Sequence, residues 1–132
     1  MLGSALFLFS VVRTTENRNK AEDNTDEEEC VIARIWRGWA PPGRADDYQR
    51  HYETEVSEHL TAVNGFRGAQ LLRRDEGGEI AFTSITWFAD LDAVRGFAGD
   101  DYERAVVEDA ARAALSRWDE RVSHHEVAVR VA

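Results

Sequence analysis

The sequence predicts an α+β domain over residues 31–132. The expected form is a ferredoxin-like split βαβ, a four-stranded antiparallel sheet with helices on one face, pairing into a dimeric α/β barrel. Three observations lead there. Apolar periodicity switches between two and three-to-four residues in the order β-α-β-β-α-β. The third strand is apolar on both of its faces. A sheet wetted on one side would alternate apolar and polar residues, so its second face needs a cover, and the cover available is a second copy of the chain.

The elements follow in order. Val31-Ile32-Ala33-Arg34-Ile35-Trp36-Arg37 is β-branched and aromatic and predicts strand 1; Pro41-Pro42-Gly43 ends it. From Ala45, Tyr48, Tyr52, Val56, His59/Leu60 and Val63 recur at helical spacing. Asp46 and Asp47 suit the first turn of this helix, and Asn64-Gly65 its end. Residues 66–74 predict strand 2, 75–78 a hairpin turn and 79–88 strand 3. Asp90 reads as an N-cap, with Leu91, Val94 and Phe97 forming a short helix face closed by Gly99. A second helical stretch is expected from Asp101 to about Trp118, on Tyr102, Ala105, Val106, Ala110, Ala113/Ala114 and Trp118. Residues 123–131 alternate and predict strand 4.

In strand 3, Ala81, Thr83, Ile85 and Trp87 share one face, and Ile80, Phe82, Ser84, Thr86 and Phe88 the other. On strand 1, Ala33 and Ile35 are expected toward the helices. Arg34 and Trp36 then face the second copy, where Arg34 would meet an acid of that copy. On the helix side, Arg34 would instead orient an anionic substrate oxygen.

The net charge of −9 argues against nucleic acid and against an anionic membrane surface as partners. The single cysteine, Cys30, excludes an internal disulfide and a cysteine-based metal site, and a cytoplasmic location is expected. The run from Leu2 to Val12 is eleven residues, short of the roughly 20 that span a bilayer. It lacks the basic start and cleavage site of a signal peptide. Arg13 to Cys30 is polar and cannot bury enough surface to fold. Residues 1–30 are therefore expected to be disordered, or an extension to a natural protein that starts near Val31.

The segments VIARIWRGWAPP, AVNGFRGAQLLRR, TSITWFADLDAVRGFAGDDYERAVV and HHEV, in this order and spacing, resemble the antibiotic biosynthesis monooxygenase family over nearly all of residues 31–132. The resemblance implies a homodimer, no bound organic cofactor and oxidoreductase chemistry. Members that oxidise polycyclic phenols pair an Asn with a Trp four residues later on strand 3; here Trp87 matches and Thr83 stands at the Asn position. Haem-degrading relatives use a strand 1 Asn and a Trp and His ten residues apart. The matching positions here are Phe97 and Val107, with arginines on strand 1, which disfavours haem degradation.

The candidate site follows. His59, near the inner face of helix 1, is placed as a base for a phenolic proton, because histidine changes charge near neutral pH. Trp87 is the second candidate catalytic residue, as a ring that stacks a flat substrate, although packing is the ordinary role of a large aromatic. Tyr52, Thr83 and Phe97 are candidate substrate-binding residues, and Trp87, Tyr52 and Phe97 are expected to line a pocket between helices and sheet. No metal site is expected. His124 and His125 point to opposite faces of a strand, and His51 and His59 stand eight residues apart. Glu108 and Asp109 read as a solvated face. The function these readings support is a cofactor-independent monooxygenase acting on a small aromatic or quinol. The alternative is a non-catalytic, small-ligand-binding homodimer of the same fold.

Overall fold

A computed structural model describes residues 31–132. The expectations for residues 1–30 lie outside the described residues. The elements are β1 (Ile32–Ala40), β2 (Phe66–Asp75), β3 (Ile80–Phe88), β4 (Arg117–Trp118) and β5 (Ser123–Glu126), with helices α1 (residues 45–61), α2 (Leu91–Ala98) and α3 (Asp109–Ala114). A short 3-10 turn, Pro42–Arg44, leads into α1. The sheet is antiparallel in the order β2-β3-β1-β4, with β5 also pairing β1. The helices cover one face. This is the ferredoxin-like α+β fold expected from the periodicity, with the fourth strand position divided into two pieces.

That division corrects two expectations. The helix foreseen over 101–118 shrinks to α3, and its last residues form β4. Residues 99–108, the crossing segment, are instead irregular, with a turn in which Arg104 N–H donates to the Asp101 carbonyl at 3.1 Å. Ala105 N–H donates to the Glu120 carbonyl and Val122 N–H to the Glu103 carbonyl, both at 2.8 Å. Backbone pairing with distant residues overrides the Ala-rich helical spacing there. Strand 4 also stops at Glu126 rather than Val131.

The other signals hold. Asp90 accepts a 2.8 Å hydrogen bond from Ala93 N–H, capping α2. Asp75 Oδ1 accepts from Gly77 N–H at 3.0 Å in the β2–β3 turn. Gly65 closes the turn after α1 at φ +95°, and a Cβ there would stand 2.7 Å from the Ala93 Cβ. Only glycine suits both demands.

β1 and β3 pair without a slip from Ile32 opposite Phe88 to Ala40 opposite Ile80. Opposed residues share a face, so Arg34 and Trp36 lie with Thr86 and Ser84. Phe82 and Phe88 on that face are fully buried under the helices. The expected orientation of β1 is therefore reversed: Arg34 and Trp36 face the helices, while Ala33 and Ile35 lie on the helix-free face with Ile85 and Trp87. The bulk of Phe82 and Phe88 decides the parity of the whole sheet.

Between helices and sheet the core forms two clusters. One gathers Ala40, Ala45, Tyr48, Ile80, Phe82 and Leu115. The other holds Leu60, Phe88, Ala93 and Val94. Tyr52 packs against both. No helix among the described residues is long and apolar enough to cross a membrane.

Gly65→Ala is expected to lower stability by about 1–3 kcal/mol, the usual cost of forcing a side chain into this backbone region. Thermal unfolding of the two proteins checks it, and equal midpoints would show that the turn adapts.

Candidate functional site

A cavity opens between the two core clusters, with about 640 Å³ of empty space including its open mouth. The sheet supplies its floor through Arg34, Trp36, Ser84 and Thr86. α1 supplies one wall through Tyr48, His51, Tyr52, Val56 and His59, and α2 adds Phe97. Val106, Val107 and Glu108 complete it from the crossing segment.

The shape of α1 explains why so many of its polar residues reach one cavity. Ala45–His51 and Ser57–Thr61 are α-helical, but Tyr52–Val56 forms a π turn. Ser57 N–H reaches back to the Tyr52 carbonyl, five residues away. Thr54 Oγ1 donates to the Arg50 carbonyl at 2.9 Å, occupying an acceptor in the disturbed ladder. In a regular helix, residues eight apart are offset by about 80° around the axis. A π turn inserts one residue, which reduces that offset to about 20°. His51 and His59 therefore come onto the same side, where the sequence spacing had separated them.

Both histidines meet Glu108. His51 Nε2 stands 3.6 Å from Glu108 Oε1, and His59 Nδ1 stands 3.8 Å from Oε2. The other nitrogen of His51 is 3.4 Å from Glu55 Oε1. These are ion-pair distances without hydrogen-bond alignment, and neither His51 nitrogen has a hydrogen-bonded partner. His51 is 7% exposed, so this is a buried polar ring held between two carboxylates. The His59 ring packs on Phe97 with centroids 5.0 Å apart. One donor atom each from His51, Glu55 and Glu108 lies within 4.8 Å of the others. That nitrogen and oxygen set is of a kind that can hold a divalent cation.

The Tyr52 hydroxyl is also buried without a partner. Burial, and secondarily the neighbouring Tyr52, push the Tyr48 phenol above its ordinary range, so Tyr48 stays protonated. Arg34 is 5% exposed and hydrogen-bonds the Tyr102 carbonyl at 2.5 Å and the Arg104 carbonyl at 3.2 Å. Its Nη1 also lies 3.1 Å from His124 Nε2. Burial pushes the His124 imidazole below its ordinary value, the Arg34 charge adds to this, and Glu103 opposes it.

Of the residues singled out from sequence, His59, Tyr52 and Phe97 line the cavity together. Thr83 and Trp87 do not. They pair with Arg37 and Ala33 on the helix-free face, so the expected place of Trp87 in this lining is corrected. Their neighbours Ser84 and Thr86 take the floor positions instead. Sequence reasoning also missed His51 and Glu108. His125 turns away from the cavity toward Ser123, at 2.9 Å, as adjacent strand positions require.

The model of the antibiotic biosynthesis monooxygenase family matches residues 29–109, more than half of the chain. The chain belongs to the antibiotic biosynthesis monooxygenase family. Solved structures with this fold include SnoaB, a cofactor-independent oxygenase from Streptomyces nogalater, at 17% identity and TM-score 0.51, covering 77% of this chain and 95% of that one. A putative antibiotic biosynthesis monooxygenase from Caulobacter crescentus CB15 matches at 14% identity and TM-score 0.58, covering 80% and 97%. A conserved protein from Methanosarcina mazei Go1 matches at 13% identity and TM-score 0.53, covering 77% and 97%. At these identities the likeness speaks for the fold. A comparison with curated proteins finds no match.

For this monooxygenase-family chain, the lowered His124 value has a consequence for stability. The folded state favours the neutral ring, so its contribution is present above the unfolded histidine value of about 6.5 and is lost as pH falls below it. His124→Gln retains an acceptor for Arg34 and does not titrate. Its stability is expected to fall less than wild type between neutral pH and about pH 5, as read by urea unfolding. Parallel curves would remove His124 from the pH response.

Proposed function

We propose that the chain is a cofactor-independent monooxygenase whose substrate is a small, electron-rich aromatic or quinol. The observation that carries this reading is the Glu108 carboxylate set between His51 and His59 at an aromatic-walled cavity. Glu108 facing His59 Nδ1 favours the tautomer that leaves Nε2 free to accept a proton. His59 is then the base, Glu108 orients it and offsets the imidazolium that forms, and His51 positions Glu108. The substrate anion passes electrons to O₂ directly. For a ring methylene next to an acidifying carbonyl the sum is R₂CH₂ + O₂ → R₂C=O + H₂O, in which the substrate supplies all four electrons. The protein supplies proton transfer, orientation and a dry wall of Trp36, Tyr48, Tyr52 and Phe97. The SnoaB likeness agrees with such chemistry.

Oxygen uptake with naphthols, anthrones and quinols tests it. His59→Ala is expected to lower kcat by about 10²–10⁴-fold, the usual contribution of a positioned base. Glu108→Gln is expected to lower kcat and shift its pH profile. Dialysis against a chelator is expected to leave the rate unchanged. Loss of activity on chelation would replace the proton-relay reading with a metal-dependent one on His51, Glu55 and Glu108. No turnover of any of these substrates, with no effect of His59→Ala, would favour the ligand-binding alternative.

A homodimer completes the proposal. Ala33, Ile35, Ile85, Trp87 and the half-exposed Leu72 share the helix-free face and form its apolar centre. Trp87 and Thr83 then serve the pairing of two sheets rather than the cavity. Light scattering of the full chain at micromolar concentration should give twice the chain mass, and Ile85→Asp should halve it. A monomeric wild type would overturn the pairing.

A further inference from the structure

We infer that the cavity takes an aromatic carboxylate, with its anionic oxygens held by Arg34. The inference rests on the reading of this cavity as a substrate site and names the class of substrate within it.

Arg34 is a buried cation whose partners are all neutral. They are the Tyr102 and Arg104 carbonyls, the His124 ring nitrogen and the face of Phe97, 5.5 Å from its centroid. No carboxylate lies within ion-pair distance of it among the described residues. A guanidinium taken out of water without a counter-charge is costly, and natural interiors pair such groups. Burial alone pushes its pKa down to about 10, with no acid opposing the shift. The two carbonyls and the His124 nitrogen engage three of its five N–H donors, which leaves two. The planar fork of Arg34 suits a carboxylate, which can bind it through both oxygens.

The rest of the cavity fits the same ligand. Tyr52 brings a buried, unpartnered hydroxyl able to donate to an oxygen. Ser84 and Thr86 add hydroxyls to the floor beside Arg34. The acidic groups belong to other elements: Glu108 precedes α3 and Glu55 lies on α1, both beside the histidines. The cavity is therefore positive at the floor and carries its carboxylates with the histidines. A flat ring with a carboxylate at one end and an acidic O–H or C–H at the other satisfies both, with Phe97 and Trp36 against its faces.

The test compares 1-hydroxy-2-naphthoate with 1-naphthol, bound to the full chain without oxygen and followed by tryptophan quenching. Wild type is expected to bind the carboxylate about 10- to 100-fold more tightly, the range for a hydrogen bond to a charged group. Arg34→Gln should lose that preference, read as the ratio of the two affinities, and Arg34→Lys should keep part of it. Equal wild-type affinities would overturn the inference, as would an Arg34→Gln protein that weakens both ligands alike. If Arg34→Gln fails to fold, the wild-type ratio and its decrease in Arg34→Lys still decide. Because binding is read without turnover, this result stands or falls separately from the oxygen-uptake assay.

Discussion

The pairing of β1 with β3 is the constraint on which the site depends. Nine opposed residue pairs run without a bulge, so one choice of parity fixes both strands at once. Phe82 and Phe88 make that choice by burying completely under the helices. Arg34, Trp36, Ser84 and Thr86 are then carried to the same side whatever their own preferences. A charged residue does not choose a buried place by its own transfer energy. It is delivered there by the two phenylalanines opposite its strand, and hydrogen bonds to the crossing segment offset its desolvation.

α1 solves the complementary problem from above. A straight helix would spread His51 and His59 around its circumference. The π turn at Tyr52–Val56 sacrifices regular hydrogen bonds and in return lines both rings against Glu108. The Thr54 hydroxyl occupies one carbonyl and moderates the loss. The same turn holds Tyr52, whose ring touches both core clusters while its hydroxyl stays without a partner. Local irregularity and unsatisfied polar atoms therefore coincide at one point of an otherwise ordinary helix, and that point is the cavity wall.

Much of the fold was legible because it is written in short-range signals. The periods of the first three strands, the Asp90 cap, the Asp75 turn and the Gly65 stop each act within a few residues and each appears where the sequence puts it. Residues 101–118 misled because their alanines repeat at helical spacing, whereas the backbone there is tied to Glu120, Val122 and Arg34, partners outside the segment. The candidate site was partly legible. His59, Tyr52 and Phe97 lie on the helix faces that ordinary periodicity exposes to the sheet. His51 was hidden by the π turn, for which no residue pattern gives warning. Glu108 was hidden by its place in a segment that reads as a polar helix face. Arg34 was misplaced by the habit of putting charge outside, although the larger side chains of the Phe82 face already gave the parity that corrects it.

Arg34 joins the floor of the cavity to its wall. Its bonds to the Tyr102 and Arg104 carbonyls fasten the turn that four residues later delivers Glu108 to the histidines. The cation at the floor and the carboxylate facing the histidines are therefore mechanically coupled. Carbonyl groups can hold a guanidinium without cancelling its charge, so fastening the segment leaves the positive field in place for a ligand. Had a carboxylate of the chain done the fastening, the segment would be equally well held and the floor would be neutral. The choice of main-chain carbonyls over an acid is what keeps a structural arginine available as a binding one.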